Sequence, residues 1–216
     1  MILQVPSAIR NLTMMRQWWN IQDGGLSELV QSNLLSHSIN HLFVCLVLII
    51  SSQLAIASDP THLRLKDLLD RPADGYCVDV HGTPGNLRID LPLFAHNCKS
   101  RLTPDSAVIF DSDGLIRFTE LDLCMTVAGV NSHALPGTAV LLHKCGESTA
   151  FFETSALQQF TLHNDGQLEL KQSGLCLAVG SRSAVTYSSS DRWRPLFVDD
   201  CTAVEARFSQ WQFSLP

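Results

Sequence analysis

The side chains with the most distinctive chemistry in this chain of 216 residues are its cysteines, two of which have a histidine nearby. His96 lies two positions before Cys98, and His143 lies two positions before Cys145. Thiolate and imidazole are ligands of structural zinc, but such sites commonly include a Cys-x-x-Cys pair, which this sequence lacks. The cysteines of an exported domain instead oxidise in pairs. We therefore predict disulfides and no metal site.

Two other patterns bear on the chemistry. Asp111-Ser-Asp-Gly114 resembles the opening of a calcium loop, but the remaining ligand spacing fails. Asn164-Asp165-Gly166 recurs at the matching place further along, so both segments are predicted to be hairpin turns. The sequence has no Gly-x-Ser-x-Gly motif and no phosphate-binding Gly-rich loop. We therefore predict a protein that is not an enzyme and needs no cofactor.

Six of the seven cysteines belong to an internal repeat of about 50 residues, predicted over about 60–110, 111–162 and 163–216. In each unit a short predicted strand follows the first cysteine and runs into a Gly turn, and three apolar residues followed by two polar ones precede the second cysteine. A trio closes each unit, at 106–108, 158–160 and 209–211. Six cysteines allow 15 connectivities. The repeat selects the one within units: Cys77–Cys98, Cys124–Cys145 and Cys176–Cys201.

The first 57 residues are predicted to be a leader and not part of the fold. The apolar run over 42–50, which contains the seventh cysteine, Cys45, is followed by Leu54-Ala55-Ile56-Ala57. This is the apolar core and Ala-x-Ala exit of a signal peptide, with cleavage near 57/58. The run is shorter than the roughly 20 apolar positions of a membrane span. The segment ahead of it is unusually long for a signal peptide, so two alternatives stay open: membrane anchorage through 42–57, and a start codon assigned too far upstream.

The charge of the remaining segment, 58–216, limits its partners. Arg10 and Arg16 of the leader balance Asp23 and Glu28, so the formal net charge of −6 is unchanged when the leader is removed. An acidic domain without a stripe of Lys and Arg argues against nucleic acid and against anionic membrane surfaces. We expect a secreted domain that meets a membrane only if the leader is uncleaved.

Three repeats, each with a cysteine pair and a closing trio similar to Gln-x-Trp, make the sequence from about 60 to 216 resemble the ricin-type lectin family. The resemblance implies an all-β fold, a β-trefoil of three repeats with one disulfide in each. Only Gln158 and Trp211 keep the glutamine and the tryptophan of the trio. In that family these side chains mainly pack the shared core, so the apolar residues Val108 and Phe160 are compatible with folding.

The resemblance also implies a sugar site in the first repeat. The family's sites combine an aspartate two residues after the first cysteine, an aromatic ring two before the second, and an amide pair at the trio. Here Asp79 holds the first position, His96 the second, and Asp105 with Ser106 the third. A carboxylate accepts two sugar hydroxyls, and a ring covers the apolar face of the sugar. The structural alternative is that Asp79 only forms the turn at Gly82.

The second and third repeats depart from this pattern, because Thr126 and Ala178 replace the aspartate. His143 and Asp199 hold their aromatic positions. We therefore expect at most one site of the family type, for a galactose-type or other glycan. The rival hypothesis is a degenerate trefoil that serves as a protein-recognition or inhibitor module at the cell surface.

The third repeat carries an insertion over 181–190, followed by Arg192-Trp193-Arg194. A tryptophan at the edge of a Ser-rich loop either anchors that loop on the core or forms a contact surface of its own. Both interpretations of Trp193 stay open at the level of sequence.

Overall fold

The computed structural model describes residues 58–149, 152–186 and 188–216. The predicted leader, with its apolar run over 42–50 and its cleavage site near 57/58, lies outside the described residues. Within the described ranges, no helix is both long and apolar enough to cross a membrane.

The first repeat is a series of short strands separated by turns, as its alternation of apolar residues and turn formers predicts. These strands are β1 (His62–Leu65), β2 (Tyr76–Asp79), β3 (Gly82–Thr83), β4 (Asn86–Leu87), β5 (Phe94–Asn97) and β6 (Val108–Phe110). β2 and β5 are antiparallel, with Cys77 opposite His96 and Asp79 opposite Phe94. The two strands that contain the predicted site residues Asp79 and His96 are therefore direct neighbours.

The second and third repeats follow the same order and add one short helix each. The second contains β7 (Ile116–Phe118), β8 (Leu123–Val127), β9 (Thr138–His143), β10 (Ser148–Thr149), β11 (Phe152–Glu153), α1 (Thr154–Gln158) and β12 (Phe160–Leu162). The third contains β13 (Leu168–Leu170), β14 (Leu175–Val179), β15 (Ala184–Val185), β16 (Arg192–Asp200), α2 (Ala206–Ser209) and β17 (Trp211–Ser214).

Antiparallel pairs join each repeat to the next: β6 with β7, β12 with β13, and β17 with β1. The last pair brings the final strand beside the first, with His62 opposite Ser214. In the two Asp-Gly turns, Gly114 and Gly166 have φ of 82° and 101°, a region that favours glycine. The predicted hairpins and the threefold β-trefoil arrangement are confirmed.

The third residue of every trio bonds the beginning of its own repeat. The amide of Val108 donates to the carbonyl of Thr61 at 2.9 Å, that of Phe160 to Gly114 at 2.8 Å, and that of Trp211 to Gly166 at 2.7 Å. A side chain at Gly114 would meet the carbonyl oxygen of Phe160 at 2.5 Å, so this close approach requires glycine. The trios thus close each repeat on itself.

The side chains of the trios lie in the core. Val108, Phe160 and Trp211 are all buried, which agrees with the expectation that apolar residues replace tryptophan there without loss of the fold. The indole N–H of Trp211 donates to the carbonyl of Leu177 at 2.9 Å, so its one polar atom is satisfied inside the core. The first trio positions, Ser106, Gln158 and Ser209, are buried as well.

Each repeat contains the predicted disulfide: Cys77–Cys98, Cys124–Cys145 and Cys176–Cys201. On the chain-entropy model, each closed loop of 21 or 25 residues contributes roughly 3 kcal/mol.

Tryptic digestion of the oxidised protein without reduction tests this connectivity, because each of the six cysteines falls on its own tryptic peptide. We expect three linked pairs in the mass spectrum, and a link between peptides of different repeats would contradict the threefold structure. The expected pairs are 67–88 with 89–99, 118–144 with 145–171, and 172–182 with 193–207.

Candidate functional site

The carboxylate of Asp79 lies at the end of β2 and is almost fully buried, with 4% of the residue exposed. Its Oδ1 accepts a hydrogen bond from the amide of Val80 at 2.9 Å. That bond precedes the turn at Gly82, so the aspartate does have a local structural contact. The contact uses one of the two oxygens and leaves acceptor capacity for other groups.

The main partner of Asp79 is Lys99, which sequence analysis did not select. Lys99 Nζ lies 2.9 Å from Asp79 Oδ2 and 3.0 Å from Oδ1. The same ammonium lies 2.6 Å from Asp105 Oδ2. One cation therefore pairs with two buried carboxylates, and the group of three has a formal charge of −1 when both aspartates are ionised.

Burial and the charges of Lys99 and Asp105 together determine the pKa of Asp79. Burial raises the pKa of Asp79 to about 7; the Lys99 ammonium pulls this pKa down, whereas the Asp105 carboxylate pushes it up. Asp79 is therefore largely protonated in mildly acidic solution and ionised above neutral pH. Only the ionised form is the double acceptor that the family's sites use.

His96 lies beside the same carboxylate. Its Nδ1 is 3.7 Å from Asp79 Oδ2, and this nitrogen is buried without a hydrogen-bond partner among the described residues. Burial lowers the pKa of His96, and the charge of Lys99 lowers it further, so the imidazole is neutral at neutral pH. The His96 side chain is 21% exposed, which leaves only part of its ring for contact with a ligand.

A cleft of about 430 Å³ opens over Asp79, His96 and Lys99. Its volume falls in the range of roughly 300–1,000 Å³ that is usual for small-molecule sites. Three further rings line it. His81 stacks on Phe94 with ring centroids 4.0 Å apart, and Trp193 meets Phe94 edge-on at 6.4 Å. The cleft thus combines a few polar groups with aromatic surface.

The other two predicted site residues are placed differently. Asp105 is buried, and its carboxylate shares the ammonium of Lys99 with Asp79. The hydroxyl of Ser106 pairs with Thr103 Oγ1 at 2.9 Å, and Ser106 is not among the residues that line the cleft. The fold therefore brings Asp79 and His96 together at the cleft, holds Asp105 behind Lys99, and turns Ser106 into the core.

In the other two repeats, the residues that correspond to Asp79 are buried in the protein interior. Thr126 is buried, donates to the carbonyl of Cys124 at 3.0 Å and accepts from Gln158 Nε2 at 2.9 Å. Ala178 is fully buried and apolar. In the second repeat the long Gln158 amide links the trio to β8. Ser106 is too short for that role in the first repeat, and Lys99 supplies the donor to Asp79.

Lys99 and Trp193 left only faint signals in the sequence. Lys99 directly follows Cys98, whereas Gly146 and Thr202 follow the second cysteines of the other repeats. A cation placed between two acidic positions of the same repeat was the available signal. Trp193 lines the first-repeat cleft, which favours the contact-surface interpretation of the third-repeat insertion.

Several solved structures of other proteins are similar to this chain. Among solved structures, the chain is similar to the agglutinin from Abrus precatorius, with a TM-score of 0.51 and 20% sequence identity over 76% of this chain and 51% of that chain. It therefore spans about half the length of the agglutinin chain. It is also similar to the β-trefoil lectin of the Vibrio vulnificus hemolysin/cytolysin with N-acetyl-D-lactosamine bound, with a TM-score of 0.43 and 16% identity over 73% of this chain and 96% of that chain.

No curated protein sequence matches the chain. The model of the ricin-type β-trefoil lectin domain family matches residues 67–192, which is more than half of the chain. Together with the three disulfide-linked repeats, this match shows that the chain belongs to the ricin-type β-trefoil lectin domain family.

Proposed function

We propose that the first-repeat cleft binds a carbohydrate and that the protein is a binding protein, not a catalyst. The family suggests carbohydrate binding. The observation that supports this particular site is the cleft itself, in which the carboxylate of Asp79 lies beside aromatic side chains. A carboxylate and an ammonium hydrogen-bond the hydroxyls of a sugar, and rings cover its apolar C–H face.

Each polar residue has a distinct role in this proposal. Asp79, when ionised, accepts hydrogen bonds from sugar hydroxyls. Lys99, whose side chain is 30% exposed, donates to sugar oxygens and shifts slightly to admit the ligand to Asp79. Asp105 holds Lys99 in place from behind, and His96 contributes part of a ring at the side of the cleft. Ser106 has a structural role at the trio.

The rival function, recognition of another protein, is favoured by one observation. The ammonium of Lys99 already pairs with Asp79 and Asp105, so the family-type acceptor is internally occupied in this structure. A site that never exchanges this pairing for a sugar would leave the trefoil as a protein-recognition or inhibitor module. Titration of the protein with a panel of sugars distinguishes the two functions.

We propose further that the leader is cleaved near 57/58 and that the domain is secreted. The disulfides in the three repeats are typical of oxidising compartments. N-terminal sequencing of the exported protein should give a chain that begins close to Asp59. A full-length species that stays with membranes after a carbonate wash would instead support anchorage through 42–57.

Replacement of Asp79 tests the sugar site. At about pH 8, where Asp79 is ionised, a single shallow site should bind one monosaccharide with Kd on the order of 1 mM. Asp79→Asn keeps the shape but removes a charge-assisted acceptor, so affinity should fall by roughly 1.5–3 kcal/mol. Isothermal titration against galactose and a panel of other sugars measures both values.

Asp199→Asn is the matched control, because it makes the same change at the third-repeat position that corresponds to His96. Its affinity should equal that of the wild type. Equal affinity of Asp79→Asn and wild type would remove Asp79 from the site. No binding by the wild type to any sugar of the panel at high millimolar concentration would favour the protein-recognition function.

The pH dependence of stability tests the raised pKa of Asp79. Its pKa is about 7 in the folded protein, and that of an unfolded aspartate is about 3.9. The folded state therefore holds the proton more tightly, and ionisation of Asp79 costs stability as the pH rises from about 4 to about 7. Asp79→Asn lacks this cost.

Urea unfolding at about pH 4.5 and about pH 8, with the disulfides intact, measures the effect. The stability of Asp79→Asn relative to wild type should increase between the two pH values, by a few kcal/mol at most, since one pKa unit corresponds to about 1.4 kcal/mol. An equal stability difference between variant and wild type at the two pH values would contradict the raised pKa.

A further inference from the structure

One side of the first-repeat cleft is formed by the third repeat. The first part of β16 pairs with β5, so that Trp193 lies opposite His96. The second part of β16 pairs with β14 of its own repeat. Trp193 lines the cleft together with Thr186 of the insertion and with Asp191, the residue that follows the insertion. A site confined to the family-type positions of the first repeat would not include these residues.

The insertion is fastened to the first repeat through Asp70. This carboxylate lies 2.5 Å from Ser183 Oγ, 3.1 Å from Arg192 Nε and 2.6 Å from Arg194 Nη2. Partial burial opposes ionisation, but the hydrogen bonds from Ser183 and Arg194 hold the pKa of Asp70 well below its usual range. The carboxylate is therefore charged at neutral pH and pairs with the residues on both sides of Trp193.

Two more bonds tie the same segment to the first repeat. The amide of Arg192 donates to Asn97 Oδ1 at 2.9 Å, and Arg71 Nη1 donates to the carbonyl of Ser190 at 2.5 Å. Ordering a side chain at a binding interface costs conformational entropy, so a segment that is already held in place loses less on binding. The position of Trp193 at the cleft is preorganised in this sense.

The ring that stands at the family's aromatic position is a poor stacking surface. His96 is small, and its Nδ1 points toward Asp79. Trp193 is larger, is only partly buried, meets Phe94 edge-on and is one of the residues that line the cleft. Indole offers the widest apolar face of the protein side chains for the C–H side of a sugar ring.

The charges around the cleft limit the class of ligand. Lys99 is compensated by Asp79 and Asp105, and Asp191 adds a further negative charge at the rim. Ser188 Oγ donates to Asp191 Oδ2 at 2.8 Å, which fixes this carboxylate against the insertion. A sialylated or sulfated glycan would place a like charge beside these aspartates, and that arrangement is repulsive.

We propose that Trp193 is the aromatic contact of the first-repeat cleft and that the third-repeat insertion makes it an extended site for an uncharged oligosaccharide of at least two residues. This inference rests on the proposed sugar-binding function. One sugar residue lies at Asp79 and Lys99, and the next lies against Trp193 with Asp191 at its far edge.

Paired titrations of monosaccharides and disaccharides test the proposal with the intact oxidised protein. The probes are galactose with lactose, N-acetylglucosamine with chitobiose, and N-acetyllactosamine. The wild type should bind at least one disaccharide about tenfold more tightly than its monosaccharide. Trp193→Ala should abolish this advantage, and Trp193→Phe should restore most of it. Val185→Ala is the matched control, since Val185 belongs to the same insertion, is 55% exposed and does not line the cleft.

Tryptophan fluorescence gives a direct readout besides affinity. The disaccharide should change the emission of the wild type and protect it from iodide quenching, and both effects should disappear in Trp193→Phe. Trp211 is fully buried and should not respond. Wild type that binds none of the sugars would overturn the proposed function. Wild type that binds monosaccharide and disaccharide equally, or Trp193→Ala with wild-type affinity, would overturn only the present proposal.

Discussion

The fold depends on the way in which each repeat is closed by its trio. The amides of Val108, Phe160 and Trp211 bond the beginning of their own repeats. The strands that start at these residues pair with the beginning of the next repeat. Short strands cannot bury an apolar face alone, so three units must share one core. Every other feature, including the cleft, is attached to this interlocked centre.

The centre tolerates variation in side chains because it is specified mainly by backbone bonds and by burial. Val108 and Phe160 fill positions that tryptophan occupies in the third repeat, and all three are buried. The residue two positions after the first cysteine differs between the repeats: Asp79, Thr126 and Ala178. Thr126 bonds Gln158 and Ala178 is buried in the interior, whereas Asp79 has a buried carboxylate that costs stability when ionised. A buried carboxylate with a shifted pKa that lines a cleft is a candidate binding residue.

Sequence reasoning succeeded where the information was local or repeated. The cysteine pairs and the Asp-Gly hairpins are set by spacing and turn chemistry, and strand pairing made Asp79 and His96 neighbours as expected. It failed for Lys99, because a long flexible side chain finds its partners through tertiary structure. Ser106 was assigned to the sugar site, but its place in the trio turns it into the core. The position of Trp193 at the cleft depends on the register of β16 against β5 of the first repeat. Such a pairing between repeats has no signal in local sequence.

The central claim is that one sugar site exists and lies in the first repeat. Chemical-shift mapping of the ¹⁵N-labelled oxidised protein, titrated with the sugar that binds best, tests it most directly. The account predicts that the amide signals of Val80, His96 and Trp193 shift in a saturable manner. The amide signals of Val127 and Val179, which correspond to Val80, and of His143, which corresponds to His96, should not shift. Saturable shifts confined to the second or third repeat, or their absence throughout the domain, would contradict it.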